Sequence, residues 1–113
     1  MLTSNLEIRK GILFVRLKGI LSEKTANNLN EITKLISENG LSNVVLNIKD
    51  LKYIDRKGIN IFLYIYELCK KNNGKSLLCC VNEEIDEEIK NSRIGNYMTI
   101  TNNELKAFEI IKV

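Results

Sequence analysis

Leu6-Glu7-Ile8-Arg9 alternates apolar and charged residues, the period of a strand with one wet face. Lys10-Gly11 follows as a tight-turn signal. Leu13, Val15 and Leu17 then share one face while Phe14, Arg16 and Lys18 share the other. This pattern predicts an antiparallel hairpin ended by Gly19. From Ser22 the period lengthens: Ala26, Leu29, Ile32 and Ile36 recur at three and four residues and form one helical stripe, with Ser22 as N-cap and Asn39-Gly40 as stop. Val44–Ile48 is almost continuously apolar, as expected of a central strand covered on both sides.

A second helical pattern runs from Ile59 to Cys69, with Ile59, Phe62, Leu63 and Tyr66 on one stripe and Ile61, Ile65 and Leu68 elsewhere. Lys70-Lys71 suits its last turn, where the helix dipole favours cations, and Asn72-Asn73-Gly74 breaks it. Ser76–Val81 reads as another buried strand. Glu83–Ile89 reads as a short surface helix anchored by Ile85 and Ile89, and Met98–Ile100 as a last strand. Thr101-Asn102-Asn103-Glu104 has the spacing of a capping box before a closing helix whose stripe is Leu105, Phe108 and Ile111. The order β-β-α-β-α-β-α-β-α implies a single α/β domain over residues 1–113. Its sheet is mixed but mostly parallel, with an N-terminal hairpin and about four helices packed on it.

Composition narrows the chemistry. Hydrophobic residues make up 44% and charged residues 27% of the 113, an ordinary globular balance. No apolar run is long enough to span a membrane, and Met1–Lys10 lacks the apolar core of a secretory signal, so the expected location is cytoplasmic, without membrane insertion. With no histidine, any mechanism using a histidine base or ligand is excluded. Cys69, Cys79 and Cys80 offer no C-x-x-C pair, so neither a thioredoxin-type motif nor a zinc knuckle is available. Cys79 and Cys80, adjacent on a strand, are expected to face opposite ways and not to bridge. All three thiols read as buried packing residues.

No Gly-rich phosphate loop follows a strand, and no Ser or Cys has a base beside it. The pairs Glu83/Glu84 and Glu87/Glu88 read as a solvated face. The expectation is therefore no enzyme, no catalytic residue, no metal and no cofactor. The net charge of +3 divides unevenly: residues 1–81 carry thirteen Lys/Arg against seven Asp/Glu, and residues 82–113 carry four against seven. The lysines are scattered and form no basic run, so nucleic acid is not an expected partner.

One place departs from local physics. Asp55 stands where the second helix begins and reads as its N-cap, yet Arg56 and Lys57 occupy the first turn, the positive end of the dipole. Each exposed cation there costs about 0.3–1 kcal/mol. Such local violations tend to mark functional spots.

Around this place the chain resembles the STAS domain of bacterial anti-sigma factor antagonists. The resemblance covers nearly the whole chain. It is carried by the segments Val15–Leu29 and Asn43–Leu63: Gly19 after the second strand, Val44–Leu46 leading to Asp50-Leu51, and Asp55 and Gly58 bracketing the helix start. It implies a protein-binding regulator whose partner is an anti-sigma factor of serine-kinase type, bound so that a sigma factor is released. In the family that kinase phosphorylates a serine in an Asp-Ser-Ser-Gly motif. Here Asp55 and Gly58 are kept, while Arg56 and Lys57 stand where the serines would be. The phosphorylatable position maps onto Lys57, so no phosphorylation is expected at the usual place.

The implied contact surface comprises Lys52, Tyr53, Asp55, Arg56, Lys57, Gly58, Asn60 and Ile61, with Ser22 from the gap Gly19–Lys24, on a chain that is a monomer when free. Two other roles fit the same fold. One is a structural subunit of a larger assembly, either a stressosome-like scaffold or a transport complex. The other is a nucleotide-binding regulatory domain.

Overall fold

A computed structural model describes residues 1–112 of the chain. Strands β1 (Leu2–Arg9) and β2 (Ile12–Leu21) form the expected hairpin, antiparallel from Leu2↔Gly19 to Arg9↔Ile12. Its two-residue turn places Lys10 at φ 50° and Gly11 at φ 78°, the pair of positive angles that matches the twist of a tight hairpin. Strand β3 (Asn43–Ile54), β4 (Ser76–Cys79) and β5 (Thr99–Thr101) add in sequence, all parallel to β2, giving the order β1-β2-β3-β4-β5.

Sequential parallel strands joined by crossovers of one hand put their connecting helices on one face. The core agrees. Helices α1 (Asn30–Asn39), α2 (Arg56–Lys71) and α3 (Asp86–Ser92) send Ile32, Ile36, Phe62, Ile65 and Ile89 into one cluster with Leu13, Val15, Leu46 and Ile48. Helix α4 (Glu104–Lys112) covers the opposite face, where Ala107 meets Ile12, Phe14, Val45, Leu77 and Cys79. The near-continuous apolar run at Val44–Leu46 therefore serves two cores, as a strand buried on both sides must.

Several local expectations are corrected. Gly19 does not end β2; pairing with β3 shifts register there and the strand continues to Leu21. Ser22 is not the cap of α1, because a 3-10 turn at Ala26–Leu29 intervenes and the α-helix starts only at Asn30. Ser22 Oγ instead accepts from the Lys24 amide at 3.2 Å within the loop. Ala26 and Leu29 are buried as expected, using the three-residue period of the 3-10 turn. On α2 the buried stripe is Gly58, Ile59, Phe62, Ile65 and Cys69, so Ile65 displaces Leu63 and Tyr66 to the margin. The capping box at Thr101 does not form. Asn103 Oδ1 accepts from the Lys106 amide at 2.8 Å, while Glu104 is drawn away to Arg16 and Asn47. Leu105, expected in the α4 stripe, is 64% exposed.

Candidate functional site

The start of α2 is built by one carboxylate that ties two loops together. Asp55 has extended backbone (φ −111°, ψ −174°), and its Oδ1 accepts from the Gly58 amide at 3.0 Å, an N-cap as expected. Its Oδ2 accepts from the Glu23 amide at 3.0 Å, and its own amide donates to the Leu21 carbonyl at 3.2 Å. Thus the loop after β2 and the first turn of α2 are held as one surface, although they lie 32 residues apart in sequence.

Gly58 makes the close approach possible. A Cβ built there would lie 2.7 Å from Ile54 Cγ1 and 2.8 Å from Leu21 Cγ, both parts of the core. Any side chain would push the helix end away from β2 and β3.

Around this joint the side chains differ sharply in fate. Arg56, Lys57 and Asn60 are exposed on the opening turns, and Lys52 is exposed on the last part of β3. Among the described residues, Lys52, Arg56 and Lys57 form no ion pair. Tyr53 is 51% exposed and pairs in register with Ile20, itself 41% exposed, leaving an uncovered apolar strip at the end of the sheet. Ser22 and Asp55 are half-buried. Ile61, half-buried, packs against the large core and belongs more to the scaffold than to the surface; Gly58 is wholly internal.

Three open depressions meet at Asp55. One of about 540 Å³ runs between α2 and α3 and is lined by Ile54, Asp55, Arg56, Ile59, Asn60, Leu63, Glu88, Asn91 and Ser92. A second is edged by Glu23, Arg56, Lys57 and Asn60, and a third by Ile20, Ser22, Lys24 and Tyr53. Glu88, Asn91 and Ser92 were outside the sequence expectation, because nothing local signals that α3 walls this groove. All three depressions are shallow and open. No cluster of three or more Cys, Asp and Glu suited to a metal occurs among the described residues. Among the described residues, no helix is long and apolar enough to cross a membrane. The arrangement suits contact with another surface.

The STAS domain model matches residues 3–107. The chain belongs to the STAS domain family. An anti-sigma F factor antagonist of Paenibacillus polymyxa is 28% identical over 109 residues, covering 96% of this chain and 93% of that protein. Among solved structures, an anti-sigma factor antagonist from Mycobacterium paratuberculosis superposes with a TM-score of 0.89 at 15% identity, over 100% of this chain and 96% of the other. The Bacillus cell fate determinant SpoIIAA in its phosphorylated form gives 0.74 at 18% identity, over 96% and 99%. At these identities the two structural likenesses establish the fold alone.

Proposed function

We propose that this STAS domain is a non-enzymatic, cytoplasmic regulator that binds an anti-sigma factor of serine-kinase type and thereby releases a sigma factor. The observation that carries this reading is the α2 end itself. Arg56 and Lys57 sit at the positive pole of a sixteen-residue helix and form no ion pair among the described residues, beside the uncovered Ile20–Tyr53 strip. Cations placed there against the dipole are stabilised by an acidic partner surface, and a rim of charge around exposed apolar side chains is the ordinary anatomy of a docking patch. Lys52, Tyr53, Asn60 and Ser22 complete the contact, while Asp55 and Gly58 shape it.

Lys57 occupies the position of the phosphorylated serine of the family pattern. A phosphoserine would bring about −1.5 to −2 charges there, whereas lysine brings a fixed positive charge. Binding by this chain is accordingly not switched off by phosphorylation at that point.

The test is calorimetric titration of the chain into such an anti-sigma factor holding its sigma factor, with ATP present, followed by intact mass measurement. Displacement of sigma with no phosphate at position 57 is expected. Failure to bind, with sigma retained, would overturn the reading.

A further inference from the structure

We infer that Cys79 and Cys80 are a redox modification site, a neighbouring dithiol that closes reversibly into a disulfide between consecutive residues. On a continuous strand the two side chains would point to opposite faces. Here β4 ends at Cys79, and Cys80 adopts φ 66°, a left-handed conformation uncommon outside glycine, asparagine and aspartate. The Cys80 amide still donates to the Thr101 carbonyl at 3.2 Å, so the turn is anchored to β5. Its consequence is that the sulfurs are brought to 3.5 Å of each other, close enough to share a thiol proton.

Reaching a bond length of about 2.05 Å needs an approach of roughly 1.5 Å. The Cα atoms of consecutive residues, about 3.8 Å apart, lie below the usual span of a disulfide. A bridge closed there is strained, and a strained bridge is readily reopened by thiols. The two sulfurs also differ in access: Cys79 is fully buried in the core under α4, whereas Cys80 is half-buried at its edge.

This difference sets the order of events with a small disulfide as oxidant. The Cys80 thiolate attacks one sulfur of the oxidant, forming a mixed disulfide and expelling one thiolate. The Cys79 thiol, which burial holds well above the ordinary thiol range, gives up its proton to solvent base as it attacks Cys80 Sγ; the protein S–S bond forms, the mixed bond breaks, and a second thiolate leaves. Two protein thiols are oxidised, the oxidant is reduced to two thiols, and both protons pass to the leaving groups or to solvent. Cys69, buried in the core on the opposite face of the sheet, takes no part.

The experiment treats the fully reduced chain with excess oxidised glutathione at mildly alkaline pH, quenches with an alkylating reagent in denaturant, and reads intact and peptide masses. A product lighter by two hydrogens is expected, with Cys69 alone alkylated, the bridge inside one peptide spanning Cys79 and Cys80, and all three thiols restored by dithiothreitol. Cys69→Ala should behave identically. Cys80→Ser, a change at a half-exposed position, should form no bridge, and Cys79→Ser should stop at a glutathione adduct on Cys80. The inference is overturned if wild type keeps all three thiols, accumulates a lasting glutathione adduct, or loses its two hydrogens only when Cys69 is present.

Discussion

Helices α2 and α4 each open beside a carboxylate, Asp55 and Glu104, at the C-terminal edge of the parallel strands. Glu104 spends its charge internally. Both its oxygens receive the Arg16 guanidinium at 2.8 Å, a bidentate pair, and Oε2 also accepts from Asn47 Nδ2 at 2.7 Å. Hydrogen bonding from Arg16 is the largest influence holding the Glu104 carboxyl below its ordinary range, and the same contact raises Arg16. Arg16 is further held by Glu7 at 2.8 Å and by Asn5 at 3.1 Å. The beginning of α4 is thus clasped onto β2 and β3 with its charges matched. At α2, Asp55 is used up in holding backbone amides, and the cations that follow it face solvent unmatched. A helix end whose charges are all answered from within is a fastening. One whose charges are left unanswered, on a well-capped frame, is open to a partner.

That contrast can be stressed from both sides. The largest effect is expected from Phe62→Ala, which empties the core beneath α2; it should cost about 3–5 kcal/mol in urea denaturation. A loss below about 1 kcal/mol would mean that α2 is not seated on the sheet as described.

Glu104→Ala should cost about 1.5–3 kcal/mol, since hydrogen bonds to a charged group are lost together. Its pH dependence has a definite sign. The folded-state pKa of Glu104 is lowered, so the stability it supplies is fully present above its ordinary value of 4.5 and is lost as pH falls below that value through the lowered one. Wild type should therefore converge on Glu104→Gln in stability on acidification, and parallel curves across that range would contradict the clasp.

Gly58→Ala should cost about 1–3 kcal/mol through overpacking against Ile54 and Leu21, and should loosen the amide of Glu23 before α4 is affected. Hydrogen exchange reads the difference. Lys57→Ser is the smallest change. It should stabilise the free chain by at most about 0.3–1 kcal/mol, because one misplaced cation leaves the helix dipole. Destabilisation would show that Lys57 has an internal role.

Much of the fold was legible where a single periodicity governs a segment. The hairpin alternation, the Val44–Ile48 run and the Asn39-Gly40 stop all stand in the structure, with Gly40 left-handed at φ 68°. Asp55 was legible as a cap because its partner Gly58 is three residues away. What stayed hidden depends on residues distant in sequence. Thr101 and Glu104 have the spacing of a capping box, but Arg16, 88 residues earlier, competes successfully for Glu104. The side chain of Asn82 clamps the carbonyls of Ile48, Lys49 and Leu51 at 2.7–3.2 Å, a tie between the loop after β4 and β3 that no local pattern announces. Cys80 escaped because a left-handed cysteine contradicts its own propensity. Charge and resemblance single out the α2 end as a candidate from sequence, whereas the α3 wall beside it is visible only in the tertiary structure.

If the unmatched end of α2 is the working surface, changes at Lys57 must alter how the chain meets its partner. Wild type, Lys57→Ser and Lys57→Glu are titrated against the anti-sigma factor at two salt concentrations, with association rates recorded. Lys57→Glu is expected to slow association and weaken the complex, and both variants to flatten the salt dependence of the on-rate, as removal of a steering rim charge should. Identical affinities and identical salt slopes for all three proteins would contradict it.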